Sequence, residues 1–329
     1  MEKTGIVKEI CSELFCIRVP LPDSPLKYLN SYVVRSPDRS LIIDTGFNHK
    51  LCFDTLTSGL DFLGIDLAQT DIFVTHFHAD HFSLVPKLKT PTTRVYFNRL
   101  ETELLENWQG FGPMLKNADQ QGFPKGKLKA ALEAHPGSRF GVEWAPEAKI
   151  LAQGHTLTYG DYTFTCIETP GHTLGHICLY EKAKKILISG DHVLIDISPN
   201  IQCWNDRENP LKSYLQSLEK VGKLEVVSVL PGHRRGFTDL KSRVDELTRH
   251  HENRLDEICN ILDNAPQSAY ETAARMSWDI KASCWEDFPI AQQWFATGEA
   301  LSHLRYLEEK GTIIRNLSGK NIRFALAKV

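Results

Sequence analysis

No two cysteines in this sequence stand in a CxxC spacing. The eight present, at positions 11, 16, 52, 166, 178, 203, 259 and 284, are scattered. That pattern excludes a Cys-rich zinc site and argues for a reducing compartment with buried thiols rather than a disulfide framework. A basic start followed by an apolar core is missing from residues 1–25, so no secretory signal is evident. No run is long and apolar enough to span a bilayer. Charge of one sign is not in excess either. A net charge of −3 over 329 residues marks the whole chain as neither a nucleic-acid nor a membrane-surface binder. Internal repeats and low-complexity tracts are also lacking. The expectation is a cytoplasmic protein, free of membrane, acting on a small-molecule substrate; a homo-oligomer is compatible with all of this. With 42% hydrophobic residues the chain can bury a sizeable core, as one large domain or a domain with an appendage.

Histidine and aspartate are present in an arrangement that chance seldom produces. His76, His78, Asp80 and His81 fall within six positions, just past the apolar run Asp71-Ile72-Phe73-Val74-Thr75. That run reads as a buried strand, which puts the cluster on the loop where the strand ends. Imidazole nitrogens and carboxylate oxygens suit zinc and its neighbours, and such side chains on one turn would crowd without a cation.

Short strand-like runs precede the cluster at Leu14–Val19, Tyr28–Val34 and Leu41–Ile43, the last stopping at Asp44-Thr45-Gly46. Helical spacing of Leu51, Phe53, Leu56, Leu60 and Leu63 predicts a helix from Asn48 to about Leu63. Further strands are expected at Arg94–Phe97, Ile150–Leu151, Tyr162–Ile167, Ile177–Tyr180, Ile186–Ile188 and Val226–Leu230, with a helix over Pro210–Val221. His172, Asp191 and His233 each lie on a loop just past one of these strands. Seven strand-end ligands are too many for one tetrahedral zinc. They suit two divalent metals about 3.5–4 Å apart, bridged by a carboxylate and a solvent oxygen. Zinc is the expected metal, with iron or manganese accepted by the same donors.

In order along the chain, Asp44, the His76–His81 cluster, His172 in Thr169-Pro170-Gly171-His172, Asp191 in Ser189-Gly190-Asp191, and His233 resemble the five motifs of the metallo-β-lactamase superfamily, over roughly residues 5–236. The resemblance implies an α+β fold, a four-layer αββα sandwich with the metals at one edge of the two sheets. It implies that His76, His78 and His172 hold one metal and that Asp80, His81 and His233 hold the second. Asp191 would bridge them, and Asp44 would orient a ligand or its loop from behind. The implied chemistry is hydrolysis by a metal-bridging hydroxide, with Asp80 and Asp191 as catalytic carboxylates. The implied substrates are small esters, thioesters or lactones, as in glyoxalase II. An aspartate at 191 departs from the cysteine of zinc β-lactamases that open antibiotics. His78 departs from the glutamate of flavodiiron proteins. The short span between Asp191 and His233 leaves no room for the insertion of the RNA-processing β-CASP branch. Single-iron persulfide dioxygenases share the cluster but do not usually carry a comparable appendage. His192 and Arg234, each beside an expected ligand, are candidate substrate contacts. His155 and His176 read as residues bonded to backbone groups.

Two domains are expected. Residues 1–236 form the metallo-β-lactamase-fold domain, with a helical insertion at 98–148 that reads either as a surface elaboration or as a lid. Residues 237–329 form a small helical module of winged-helix type: a long amphipathic helix from Leu240, helices at 267–277 and 297–310, and a hairpin turning at Leu317–Lys320. Such a module also resembles the β-lactamase-like protein 2 branch, in which some members cleave single-stranded RNA. That reading stands beside a third, a low-turnover binding or regulatory protein. Residues 240–329 carry 12 Lys/Arg against 13 Asp/Glu. A balanced module has little with which to neutralise phosphates, which argues against nucleic acid.

Overall fold

The computed structural model describes residues 6–142, 147–205, 208–318 and 321–327. They fall into two compact units. The first comprises Met1–Trp108, Phe140–Pro199 and Lys220–Arg243, the second Gln109–Arg139, Asn200–Glu219 and Val244–Val329.

The first unit contains two β-sheets. One runs in chain order through β1 (Val7–Cys11), β2 (Leu14–Pro20), β3 (Tyr28–Val34), β4 (Ser40–Ile43), β5 (Thr70–Phe73), β6 (Val95–Asn98) and β7 (Ala148–Leu151). Neighbours are antiparallel up to β4 and parallel beyond it. The other sheet has the order β12–β11–β10–β9–β8, built from β8 (Thr156–Tyr159), β9 (Tyr162–Glu168), β10 (Ile177–Glu181), β11 (Ile186–Gly190) and β12 (Ser228–Pro231). Only its β11–β12 pair is parallel.

Side-chain alternation explains why the first sheet is apolar on both faces. Leu14, Cys16, Leu41, Ile43 and Phe73 pack against Phe164, Cys166, Ile177, Leu179, Ile188 and Leu230 between the sheets. Their chain neighbours Phe15, Ile17, Ile42 and Ile72 point the other way, to Cys52, Leu56 and Leu60 of α1 (Lys50–Phe62) and to Phe82, Leu84, Val85 and Leu88. Those last residues lie on and around two short helices, α2 (Ala79–Phe82) and α3 (Val85–Leu88). A strand covered on both faces reads as a continuous apolar run, as Leu41-Ile42-Ile43 does. The architecture is therefore two packed sheets with helices outside, the mixed α and β sandwich that the resemblance implies. Strands β1 and β8, short and lying at the ends of their sheets, are additions to the elements expected from sequence.

One buried carboxylate joins the sheets. Asp71 on β5 is fully buried and accepts from Arg39 Nη2 at 2.6 Å, Arg94 Nε at 2.9 Å and the Tyr159 hydroxyl of β8 at 2.6 Å. Burial raises its carboxyl, but the two guanidinium groups and the phenol overrule it and hold it down at about 2. Removing the carboxylate leaves the buried Tyr159 hydroxyl without its acceptor and two part-exposed guanidinium groups without their partner. Asp71→Ala is expected to cost about 1–3 kcal/mol in urea unfolding. Because the folded-state pKa is depressed, the native contribution is full above the ordinary carboxylate range and is lost as pH falls towards 2. An Asp71→Ala variant with an unchanged urea midpoint would remove this assignment.

Helix α4 (Arg99–Glu106) begins the expected insertion and belongs to the first unit. Further along, the insertion forms α5 (Gly112–Gln120), α6 (Lys125–Ala134) and α7 (Pro136–Phe140). The other helices are α8 (Pro210–Val221), α9 (Leu240–Asn264), α10 (Ala269–Ala273) and α11 (Ile290–Glu309), followed by the antiparallel pair β13 (Ile313–Ser318) and β14 (Asn321–Leu326). Gly319 and Lys320 of the expected turn lie outside the described residues. Within the second unit, Phe123 of the insertion sits between Tyr270 and Trp294, at ring-centroid distances of 5.3 and 5.5 Å. The backbone N–H of Tyr270 donates to the carbonyl of Gln121. The insertion thus packs with the C-terminal helices. Helix α11 is longer than the 297–310 expected. It is buried nearly all round, including Gln293, Thr297, Glu299 and His303, so no one-sided apolar stripe marks its start.

Candidate metal centre

The expected ligands converge at one edge of the first unit, where β5, β11 and β12 end. The donor atoms form three overlapping groups: His76, His78 and His172; His76, His81 and Asp191; and Asp80, His81 and His233. Within each group the atoms lie within 4.8 Å of one another. Asp191 faces side chains of both outer groups. Its Oδ2 is 3.3 Å from His233 Nε2, 3.6 Å from His81 Nε2 and 3.7 Å from His172 Nε2.

What holds the imidazoles decides which nitrogen each presents. His81 Nδ1 donates to Asp44 Oδ2 at 2.8 Å, and His233 Nδ1 donates to the Tyr28 carbonyl at 2.9 Å. Thr75 Oγ1 donates to Asp44 Oδ2 at 2.8 Å, which leaves it to accept from His76 Nδ1 at 3.0 Å. In all three rings the outer nitrogen, Nδ1, carries a proton, so Nε2 is the nitrogen turned inward to meet a cation. Asp44 also accepts the Thr75 backbone N–H at 2.8 Å and therefore ties the start of the His76–His81 loop as well as a ligand. It does so from a left-handed backbone, φ 60°. For a residue other than glycine that conformation stores strain of order 1–3 kcal/mol, and it recurs at functional sites.

The residues fit a divalent cation on an observation independent of any family pattern. Nε2 of His76, His81 and His233 and Oδ1 of Asp191 are buried, with no hydrogen-bond partner among the described residues. Each such orphan costs on the order of 1–3 kcal/mol. A shared cation satisfies them together.

The electrostatics point the same way. Burial and the neighbouring imidazoles push His76 and His78 well below the usual histidine range, so both are neutral. Burial opposes charge on His233, yet Asp191 and Asp80 raise it to about 10. Burial likewise opposes charge on His81, and Asp44, Asp191 and Asp80 raise it well above the usual range. Burial raises Asp80, but His81 and His233 hold it at about 2. The carboxylates around these two rings thus favour positive charge between them.

Of the other residues singled out by sequence, His192 is fully buried, with its ring 6.2 Å from that of His176, and belongs to none of the three groups. Arg234 follows His233 with φ 66°, and its Nε is buried without a hydrogen-bond partner among the described residues. His176 Nε2 accepts the backbone N–H of Asp191 at 3.1 Å, and its Nδ1 meets Thr169 Oγ1 at 2.8 Å. His155 is exposed. His135 packs between Phe111 and Phe295 inside the second unit.

Three supports of the site are not anticipated by the sequence reading. Asn30 on β3 donates through Nδ2 to the carbonyls of Pro231 and Arg234, and the Tyr32 hydroxyl donates to Pro231; together they clamp the His233 loop. Ser31 donates to the Asp44 carbonyl at 2.7 Å. The signal for both is a pair of polar residues, Asn30 and Ser31, inside an otherwise apolar strand. The third is Glu101 on α4, almost fully buried, which accepts Phe77 N–H at 2.9 Å, Thr173 Oγ1–H at 2.7 Å and Gly175 N–H at 2.6 Å. Burial pushes its carboxyl up to about 7 against the pull of those donors. Gly232 allows a close approach to two of these residues: a Cβ there would stand 2.6 Å from Asp191 Oδ1 and 2.9 Å from His81 Cε1.

Comparison with known proteins places these features in a family. The family model described as the metallo-beta-lactamase superfamily matches residues 26–233. The probable metallo-hydrolase YqjP of Bacillus subtilis is 24% identical over 330 residues, covering 96% of this chain and 98% of that one. The acyl-coenzyme A thioesterase MBLAC2 of Homo sapiens is 29% identical over 214 residues, covering 62% of this chain and 72% of that one. Among solved structures, a metallo-beta-lactamase family protein from Thermus thermophilus superposes with a TM-score of 0.82 at 26% identity, covering 97% of this chain and 100% of that one.

Proposed function

The chain belongs to the metallo-β-lactamase superfamily, is a hydrolase of that superfamily, and carries His and Asp groups suited to divalent metal; from this premise we propose that it is a dinuclear metal-dependent thioesterase acting on small acyl thioesters. The observation that carries the reading is the position of Asp191, whose carboxylate stands against His172 of one ligand group and against His81 and His233 of the other. Two metals are proposed, zinc first, held by His76, His78 and His172 and by Asp80, His81 and His233, with Asp191 between them. Bound divalent cations supply a water acid enough to ionise near neutral pH and an electrophile for the carbonyl oxygen.

The chain's own residues do the rest. Asp44, Thr75 and the Tyr28 carbonyl keep three imidazoles in the tautomer that presents Nε2. Asp80 and Asp191 stay ionised and set negative charge against the cations that would be held there. The side chains of the three groups are all committed to the cluster, so none of them keeps a proton in reserve for a poor leaving group. A thiol, with an ordinary pKa of about 8.5, departs as thiolate without one, whereas an alkoxide does not. That asymmetry and the named thioesterase relative together favour thioesters over oxygen esters and lactones. The charges of α11 are already engaged within the second unit: Glu299 accepts from Asn200 at 2.6 Å, Arg305 meets Glu308, and Glu309 accepts from Asn209 at 2.7 Å. This argues against that helix as a phosphate-reading surface and for a small-molecule partner.

The test is turnover of metal-loaded protein on a matched panel of an acyl thioester, its oxygen ester, a lactone, a phosphodiester and single-stranded RNA. The expected outcome is thioester hydrolysis at least about tenfold faster than that of the oxygen ester, from the leaving-group difference. Cleavage of RNA alone would replace this reading with the endoribonuclease one. Stoichiometric binding with no turnover would favour a regulatory protein.

A further inference from the structure

Two ligand-bearing loops lean on one carboxylate that is itself not among the metal-ligand groups. Glu101 Oε2 accepts the backbone N–H of Phe77, which lies between His76 and His78. Its Oε1 accepts from Thr173 Oγ1 and from the backbone N–H of Gly175, immediately beyond His172. The carboxylate sits in the first turn of α4, which Asn98 caps by accepting the Leu100 N–H at 2.8 Å. The His172 loop lies flush against that turn: a Cβ on Gly175 would stand 2.4 Å from Asn98 Oδ1 and 2.7 Å from Glu101 Cγ. The other ligand group has its own supports. His81 rests on Asp44, and His233 rests on the Tyr28 carbonyl and the loop that Asn30 clamps.

We propose that Glu101 is the positioning residue for one half of the centre, setting the mutual geometry of His76, His78 and His172 while leaving Asp80, His81 and His233 to Asp44 and Asn30. Both loops are anchored through backbone N–H groups, so the spacing between them is fixed by one side chain rather than by packing of variable size. Three donors on one buried carboxylate also hold the first turn of α4 rigid, and outer partners of this kind typically change metal affinity by about 10–100-fold.

The proposal rests on the two-metal reading, and the experiment separates the two. Metal-free wild type and Glu101→Ala are titrated with zinc in competition with a chromophoric chelator, and the thermal midpoint of each metal-free protein is recorded. Wild type is expected to take up two equivalents. Glu101→Ala is expected to weaken one of them by about 10–100-fold and to leave the other within about twofold. Asp44→Asn is expected to weaken the other equivalent more, since it touches His81 directly and reaches His76 only through Thr75. Glu101→Gln keeps one acceptor oxygen but turns an NH2 towards either Phe77 N–H or the Thr173 and Gly175 donors, so it should fall between wild type and Ala. Unchanged affinity at both sites, or equal weakening of both, overturns the proposal, even if the thermal midpoint falls. Should wild type bind a single equivalent, the two-metal reading fails and Glu101 is judged on that one site: weakening in Glu101→Ala supports it, and no change overturns it. If Glu101→Ala does not fold, Thr173→Val removes one donor of the three and should weaken the same site a few-fold.

Discussion

Asp191→Ala is expected to lower kcat/KM for thioester hydrolysis by about 10³-fold or more, the scale on which removing one preorganised charge element is felt, and to reduce tightly held metal from two equivalents to at most one. No other carboxylate among the described residues stands as Asp191 does, with one oxygen 3.3 to 3.7 Å from ligand nitrogens of both groups and the other buried without a hydrogen-bond partner among those residues. Asp80 is confined to the group with His81 and His233. Its loss should therefore weaken one metal and spare the other. The position also tolerates little adjustment, because Gly232 brings backbone against it: a Cβ there would stand 2.6 Å from Asp191 Oδ1. A water molecule filling the truncated space would restore volume but not charge, so Asp191→Asn should resemble Asp191→Ala in metal content while folding more like wild type. Elemental analysis after dialysis, read beside turnover, decides the matter. Two retained equivalents in Asp191→Ala would remove the bridging role. If Asp191→Ala loses all metal because it is unfolded, the metal content of folded Asp191→Asn decides instead, and two equivalents there would likewise remove the role.

How much of this could be read from the sequence follows from where each signal lies. The cluster His76–His81 is legible because four ligand-type residues are local, and local patterns survive in one dimension. Asp44 is legible through its strand and its Asp-Thr-Gly turn, and its contact with His81 Nδ1 gives that turn a physical reason. Strands buried on both faces, such as Leu41–Ile43, announce themselves as apolar runs. Glu101 is not legible. It is one glutamate among several on an amphipathic helix, and its partners lie 24 and 72 positions away. Nothing in a one-dimensional pattern distinguishes a buried acceptor of three hydrogen bonds from a solvated glutamate. Asn30 and Ser31 fall between these cases: polar residues inside an apolar strand carry a readable anomaly, but not the identity of what they hold. The second unit is least legible, because it gathers three separated segments and because α11 is buried on nearly every side and so carries no stripe.

Metal uptake by the metal-free protein is expected to strengthen steeply with pH and to release protons. Burial alone would keep His233 neutral, but Asp191 and Asp80 raise it to about 10, and Asp44, Asp191 and Asp80 raise His81 in the same direction. At neutral pH both rings hold a second proton in the metal-free site. The Nδ1 protons are retained on binding, since Asp44 and the Tyr28 carbonyl accept them. The protons displaced are therefore those on Nε2, where a ligand lone pair is required. Each displaced proton contributes one decade of apparent affinity per pH unit, so two give roughly a hundredfold per unit through neutrality. Asp80, already ionised with a pKa of about 2, contributes nothing in this range. The sign for stability is opposite in the two forms. For the metal-free protein, a raised histidine pKa stabilises fully below the ordinary histidine range and is lost as pH climbs through about 10. For the loaded protein, stabilisation grows with affinity. The gap in thermal midpoint between loaded and chelator-treated protein should therefore widen as pH rises through neutrality. Calorimetric titration in two buffers of different ionisation enthalpy measures the proton count directly. About two protons released near neutral pH is the expected value, and a count near zero would mean that Asp191 and Asp80 do not hold protonated imidazoles between them when the metals are gone.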